Sequence, residues 1–251
     1  MKKSFSDRHD SNPVVLPLLI AAGTLGLLAI VWRQRAAPRA ERSTTTRRDA
    51  PVQATRDAER LERGPDTQAS DEGAGPLLHR RYEIELPDRA ISSDMMLRLM
   101  QRHLTELAPA ALAEFEKSAG SDAVFSVGDE YEITMLGPWN GVVRVSEVTR
   151  DSFTLVTLDG HPEAGHITFS VEDDALSQGL ILVRIESWAR SRDTLVAAAY
   201  DTLKIGKQVQ TEVWITFLQR LAERAGVETR PEVRITTESH DEAKDGQRGN
   251  A

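Results

Sequence analysis

The sequence predicts an α+β fold in which a curved antiparallel sheet grips a long carboxyl-terminal helix, preceded by one transmembrane helix and a disordered linker. Three observations predict it. A charge-free apolar run, Val14 to Trp32, lies near the amino terminus. Short alternating segments separated by turn signals fill residues 130 to 187. The last regular element, about Ser191 to Ala225, carries an apolar stripe at helical spacing.

Residues 1–12 form a polar tail carrying Lys2, Lys3 and Arg8 against Asp7 and Asp10. The transmembrane helix is assigned to residues 13–33. The nineteen residues from Val14 to Trp32 rise about 1.5 Å each and so match the roughly 30 Å of hydrocarbon in a bilayer. Pro17 falls in the first turn, and Trp32 stands where an indole favours the interface. A cleaved signal peptide is the rival reading. Against it, the run is longer than a signal core of roughly 7 to 15 residues, and it ends at Arg33, Arg35 and Arg39. Residues 33 to 48 carry six arginines against Glu41 alone, so positive charge places the carboxyl-terminal bulk in the cytoplasm. The expectation is a single-pass protein of the cell membrane, with lipid as the partner of its helix.

Residues 34–77 lack any sustained apolar period and end in Gly73-Ala74-Gly75-Pro76, which reads as a disordered linker. A second polar tail is expected over residues 238–251. The domain between them, 78–237, is long enough for one core.

A strand is predicted from His79 to Leu86, where Tyr82, Ile84 and Leu86 alternate with Arg81, Glu83 and Glu85. Ser92-Ser93-Asp94 offers helix caps, and Met96, Leu97, Met100, Leu104 and Leu107 recur at helical steps. Pro109 interrupts that helix, and Leu112 and Phe115 continue its apolar face to Gly120. A meander follows through Glu130–Leu136, Gly141–Val148, Ser152–Leu158, His166–Val171 and Leu180–Ser187. On the final helix Leu195, Ala199, Leu203, Gly206, Gln210, Val213, Trp214, Phe217 and Leu221 share one stripe, and Gly226 ends it. Val233 to Thr237 is an edge strand or the start of the tail. This order of elements is that of the helix-grip, or START-like, architecture.

The composition narrows function. Across 251 residues, 31 Lys and Arg stand against 39 Asp and Glu, a formal charge of −8, so no nucleic-acid partner is expected. The absence of cysteine removes disulfides, thiolate nucleophiles, zinc-thiolate sites and iron–sulfur ligation. No phosphate-binding loop, dinucleotide fingerprint, nucleophile elbow or zinc-protease helix is present, and no cofactor is expected.

Thr157-Leu158-Asp159-Gly160-His161-Pro162-Glu163-Ala164-Gly165, followed by Phe169, resembles the hallmark turn of a family of bacterial and plant domains catalogued as a domain of unknown function. In that family a Gly-Thr-Leu-Pro-Gly-His-Pro-Glu turn leads to Gly-Glu-Glu and a strand phenylalanine. Gly160, His161, Pro162, Glu163, Gly165 and Phe169 match, whereas Asp159 replaces the proline and His166-Ile167 replace the paired glutamates. The resemblance spans about residues 77 to 226 and implies a START-like fold without implying an activity.

Four residues are candidates for a ligand site. Gln210 places an amide in an apolar stripe, where it must find partners or cost about 1–3 kcal/mol. Its readings are a bond to a strand carbonyl or the Trp139 loop, or orientation of a ligand's polar head. Gly206, on the same stripe, removes volume. His161 and Glu163 share one face of the turn. They read either as a structural tie or as an acid–base pair acting on a bound ligand. His166 falls on the opposite face by the two-residue period, so these side chains do not assemble a metal site. Three functions stay open. The first is a non-catalytic binding module for an apolar or amphipathic small molecule, such as a lipid, held between sheet and helix. The second is an interaction module with an unnamed protein partner. The third is a small-substrate enzyme using His161 and Glu163.

Overall fold

The alternation that predicts strands over residues 79 to 187 extends in the structure to nine of them. The structure, a computed structural model, describes residues 40–47, 51–87, 91–121, 123–135, 140–173, 179–194 and 205–240. The strands are β1 (Ala40–Arg47), β2 (Ala74–Pro87), β3 (Ala113–Ala119), β4 (Glu130–Met135), β5 (Asn140–Val148), β6 (Ser152–Thr157), β7 (Glu163–Asp173), β8 (Leu180–Ser191) and β9 (Val233–His240). They form one sheet in the order β1-β9-β2-β8-β7-β6-β5-β4-β3. Every neighbour pairs antiparallel except β1, which runs parallel to β9 with Ala40 opposite Val233. The helices are α1 (Val52–Leu61), α2 (Ser93–Arg102), α3 (Leu104–Leu107) and α4 (Ile205–Arg224).

Strand parity assigns the core to one face. Tyr82, Ile84 and Leu86 of β2, Ile181, Val183 and Ile185 of β8, and Phe153 and Phe169 of β6 and β7 are all but fully buried. They join Val213, Trp214, Phe217, Leu218 and Leu221 of α4 and Met96, Leu97 and Met100 of α2 in one hydrophobic cluster. Its centre is aromatic. Phe153 stacks on Phe169 at 4.7 Å between ring centres, and Trp214 meets Phe169 edge-on at 5.6 Å, arrangements that suit the ring quadrupoles. Ser92 caps α2 by accepting a hydrogen bond from the Met95 backbone N–H.

The opposite face is covered too. Ala54 and Leu61 of α1 are buried, and so are Thr154, Val156 and Ala164, whose parity points them away from α4. Glu62, Gln68 and Ser70, all before β2, are also buried. Each finds hydrogen-bond partners, as buried polar groups must.

The expected fold class therefore needs correction. Residues 40–47 and 51–77 are not a disordered linker: they contribute β1, α1, a 3-10 turn at Ser70–Glu72 and the first turns of β2. The polar composition misleads because specific hydrogen bonds hold this segment instead of a broad apolar stripe. The sheet is mixed and has nine strands, and β9 carries the fold to His240, past the expected boundary at 237. Residues 113–119 are strand rather than helix, since Ala113 and Phe115 are buried while Glu114 and Glu116 are exposed, a period of two that a Leu112–Phe115 step of three conceals. Strand β8 continues to Ser191, where the last helix was expected to begin. The apolar run from Val14 to Trp32, Trp139, and Leu195, Ala199 and Leu203 lie outside the described residues. Among the described residues no helix is long and apolar enough to cross a membrane.

Candidate functional site

The turn between β6 and β7 is held from the amino-terminal segment. Gly160 sits at φ +91°, a left-handed conformation open to glycine at little cost. The Gln68 amide donates to the carbonyls of His161 at 2.8 Å and Glu163 at 2.7 Å, and its oxygen accepts from the Gly160 N–H at 3.2 Å. Thr157 Oγ1 donates to the Gln68 carbonyl at 2.9 Å. His161 is buried, and its Nδ1 lies 3.0 Å from both the backbone N–H and the carbonyl oxygen of Glu163, so the ring is tied to the Glu163 backbone through that nitrogen. Burial pushes the His161 imidazole below the ordinary histidine range, and the opposing pull of Glu163 does not offset it. Gly141 leaves room for the His161 ring, because a side chain there would collide with it.

The turn delivers Glu163 to the α4 side of the sheet. There Arg80 of β2, Glu163 of β7 and Gln210 of α4 close a ring. Arg80 Nη1 donates to Glu163 Oε1 at 3.2 Å and to Gln210 Oε1, and Gln210 Nε2 donates to Glu163 Oε2 at 2.9 Å. The Arg80 side chain is only 7% exposed and that of Glu163 17%, so the pair is compensated where a lone charge would be strongly disfavoured. The Tyr82 hydroxyl, two residues along the same face, bonds Thr211 of α4. Burial, above all, raises the Tyr82 phenol above its ordinary range.

Two buried polar atoms on residues neighbouring this ring in the sheet and the helix have no hydrogen-bond partner among the described residues. Ser187 is the cross-strand neighbour of Arg80, and its Oγ is buried with no hydrogen-bond partner. Trp214, one helical turn beyond Gln210, leaves its indole N–H in the same condition. Each such group costs about 1–3 kcal/mol if it stays dry. The site thus combines an arginine–carboxylate–amide ring, two groups short of partners and the edge of an aromatic core.

A second cluster occupies the opposite face, where His79 and Glu238 are cross-strand neighbours and His240 lies two residues further along β9. The nearest donor atoms of His79, Glu238 and His240 lie within 4.8 Å of one another, and all three residues are buried. His79 Nδ1 is 3.4 Å and His240 Nε2 3.7 Å from Glu238 Oε2. His79 Nε2 meets Glu186 Oε1 at 2.5 Å, and the His79 ring stacks on Trp188 at 3.7 Å between centres. Burial pushes the Glu186 carboxyl up, but the hydrogen bond and charge of His79 outweigh it and hold the acid below its usual range. On the same face the end of α1 brings Glu62 Oε1 to 2.6 Å from His166 Nδ1.

Of the residues singled out from sequence, Gln210 and Glu163 meet directly. His161 supports the turn through the Glu163 backbone. Gly206 lies in the first turn of α4, and His166 stands apart on the other face. Gln210 bonds neither a strand carbonyl nor, among the described residues, a loop: its partners are side chains. Arg80, Gln68 and Ser187 were missed. For Arg80 a signal was available, since the parity that points Tyr82, Ile84 and Leu86 inward points residue 80 inward as well. For Gln68 no local pattern exists.

The family described as "Domain of unknown function (DUF1990)" matches residues 101–228. No curated protein matches the chain. Among solved structures, a conserved protein from Geobacillus kaustophilus is 12% identical, with 62% of this chain and 98% of that chain covered and a TM-score of 0.43. Norcoclaurine synthase from Thalictrum flavum, in complex with dopamine and hydroxybenzaldehyde, is 14% identical over 66% of this chain and 94% of that one, at a TM-score of 0.41. The di-domain ARO/CYC StfQ from the steffimycin biosynthetic pathway is 15% identical over 60% of this chain and 53% of that one, also at 0.41.

Proposed function

The chain belongs to the DUF1990 family, and we propose that its domain is a non-catalytic binding module for an amphipathic small molecule whose polar end meets the Arg80–Glu163–Gln210 ring. The observation that carries this reading is that Ser187 Oγ, on the cross-strand neighbour of Arg80, and Trp214 Nε1, one helical turn beyond Gln210, are buried with no hydrogen-bond partner among the described residues. A guest offering one acceptor and one hydroxyl- or carboxylate-like group satisfies both, while its apolar part lies along the Trp214, Phe217 and Phe169 side. His161 contributes by fixing Glu163. Its Nδ1 is occupied by the backbone, and the Glu163 carboxylate is turned to Arg80 and Gln210, so the two do not form an acid–base pair with each other.

The test is native mass spectrometry on residues 40–251 purified without detergent, followed by titration with palmitate and with lysophosphatidylcholine while tryptophan fluorescence is recorded. One guest per chain, with binding weakened in Ser187→Val and Gln210→Leu, is the expected result. No copurifying molecule and no saturable response to either probe refutes the reading.

A further inference from the structure

We propose that His79, Glu238 and His240 form a binding site for a divalent metal ion of the zinc class, on the sheet face away from α4. The proposal is independent of the small-molecule reading, and its three ligands lie outside the matched span of residues 101–228.

The distances carry it. At 3.4 Å and 3.7 Å, the two imidazole nitrogens are too far from Glu238 Oε2 for strong hydrogen bonds. They are close to the edge of a coordination tetrahedron, which for metal–ligand bonds of about 2.0–2.2 Å is about 3.4 Å. All three donor atoms lie within 4.8 Å of one another, so an ion about 2 Å from each would draw the two imidazoles toward each other while keeping the two edges to Glu238 near their present lengths. Both histidines and the carboxylate are buried on paired strands, so their positions are set by the sheet ladder.

The surroundings match what holds a metal ligand in place. His79 directs Nδ1 into the cluster while Nε2 meets Glu186 Oε1 at 2.5 Å, the carboxylate–imidazole–metal relay that fixes the tautomer and raises ligand basicity. Arg47 holds the other Glu238 oxygen at 3.0 Å, leaving Oε2 to face the histidines. Trp188 walls the cluster, stacked on His79 and 5.5 Å from His240 between ring centres. Among the described residues the cluster is two imidazoles and one carboxylate, a donor set that favours zinc, cobalt or nickel over calcium or magnesium. The ion would join β9 to β2, with water completing the set.

The experiment is titration of the untagged, metal-stripped full-length chain with Co2+ and then Zn2+. Support is one Co2+ per chain with the intense visible absorption of tetrahedral cobalt, displaced by Zn2+. His240→Gln should abolish that band while keeping the wild-type far-UV circular dichroism, and Glu186→Gln should weaken binding by roughly 10–100-fold. Should His240→Gln not fold, histidine 15N shifts in the wild-type chain decide: zinc must move His79 and His240. Absence of stoichiometric binding, a cobalt band unchanged in His240→Gln, or zinc-induced shifts confined to the other histidines overturns the proposal. A cluster held together by hydrogen bonds alone gives the first of these outcomes.

Discussion

Truncating Gln68 to alanine tests whether the segment before β2 belongs to the fold. Gln68 is 7% exposed, and its side chain supplies three hydrogen bonds to the Gly160–Glu163 turn, two donated to carbonyls and one accepted. A hydrogen bond contributes about 1 kcal/mol net, and a buried group left unpaired costs about 1–3 kcal/mol. Water entry from the turn's open side recovers part of this, so the expected loss is about 2–4 kcal/mol. Gln68→Glu should cost at least as much, because a carboxylate faces the two carbonyls with no proton to offer. Urea unfolding followed by far-UV circular dichroism measures both, and the slope against denaturant should stay unchanged. A loss below about 0.5 kcal/mol, the range of ordinary surface changes, would show that the turn holds itself and that residues 51–73 merely rest nearby.

Three further outcomes are expected. Glu62 is held below the ordinary glutamate value of 4.5: burial raises it, but hydrogen bonds from His166 and Ser70 prevail. Its contribution is therefore complete above the unfolded pKa and lost as pH falls through the lower folded value. The stability gap between wild type and Glu62→Gln should shrink in that acid window, as unfolding at stepped pH would record. His161 is lowered from 6.5 by burial, so its stabilising effect is present above 6.5 and declines as pH falls; a histidine NMR titration should find its midpoint below 6.5, and a midpoint at or above 6.5 contradicts the effect of burial. Gly165 sits at φ +145° with Trp188 backbone where a side chain would go. Gly165→Ala should thus cost at least about 2 kcal/mol, and a thermal midpoint within error of wild type rejects that account.

What the sequence disclosed and what it hid divide along a physical line. Strands β2 and β4 to β8 are legible because one face of each is apolar, and a period of two survives without any knowledge of neighbours. Gln210 stood out for the same reason, as an amide interrupting an apolar stripe. Its partners did not, because Arg80 and Glu163 reach it only through the β2–β8–β7 register, which is set by pairing across the whole chain. The amino-terminal segment was unreadable for a different cause. Gln68, Glu62 and Ser70 are buried by individual bonds, and polar side chains buried that way look identical to solvated ones in a composition. The His79–Glu238–His240 cluster joins residues 159 positions apart in its central contact, and no spacing rule covers that separation.

The parallel pairing of Ala40–Arg47 with Val233–His240 sets an order of assembly. During synthesis the strand Ala40–Arg47 leaves the ribosome long before β9, the strand it pairs with among the described residues, has been made. It must wait while the meander and α4 fold, so this edge closes last. Until then β2 presents bare backbone groups along its outer side, a surface open to strand exchange between nascent chains. A message cut short before codon 233 would leave that opening permanent.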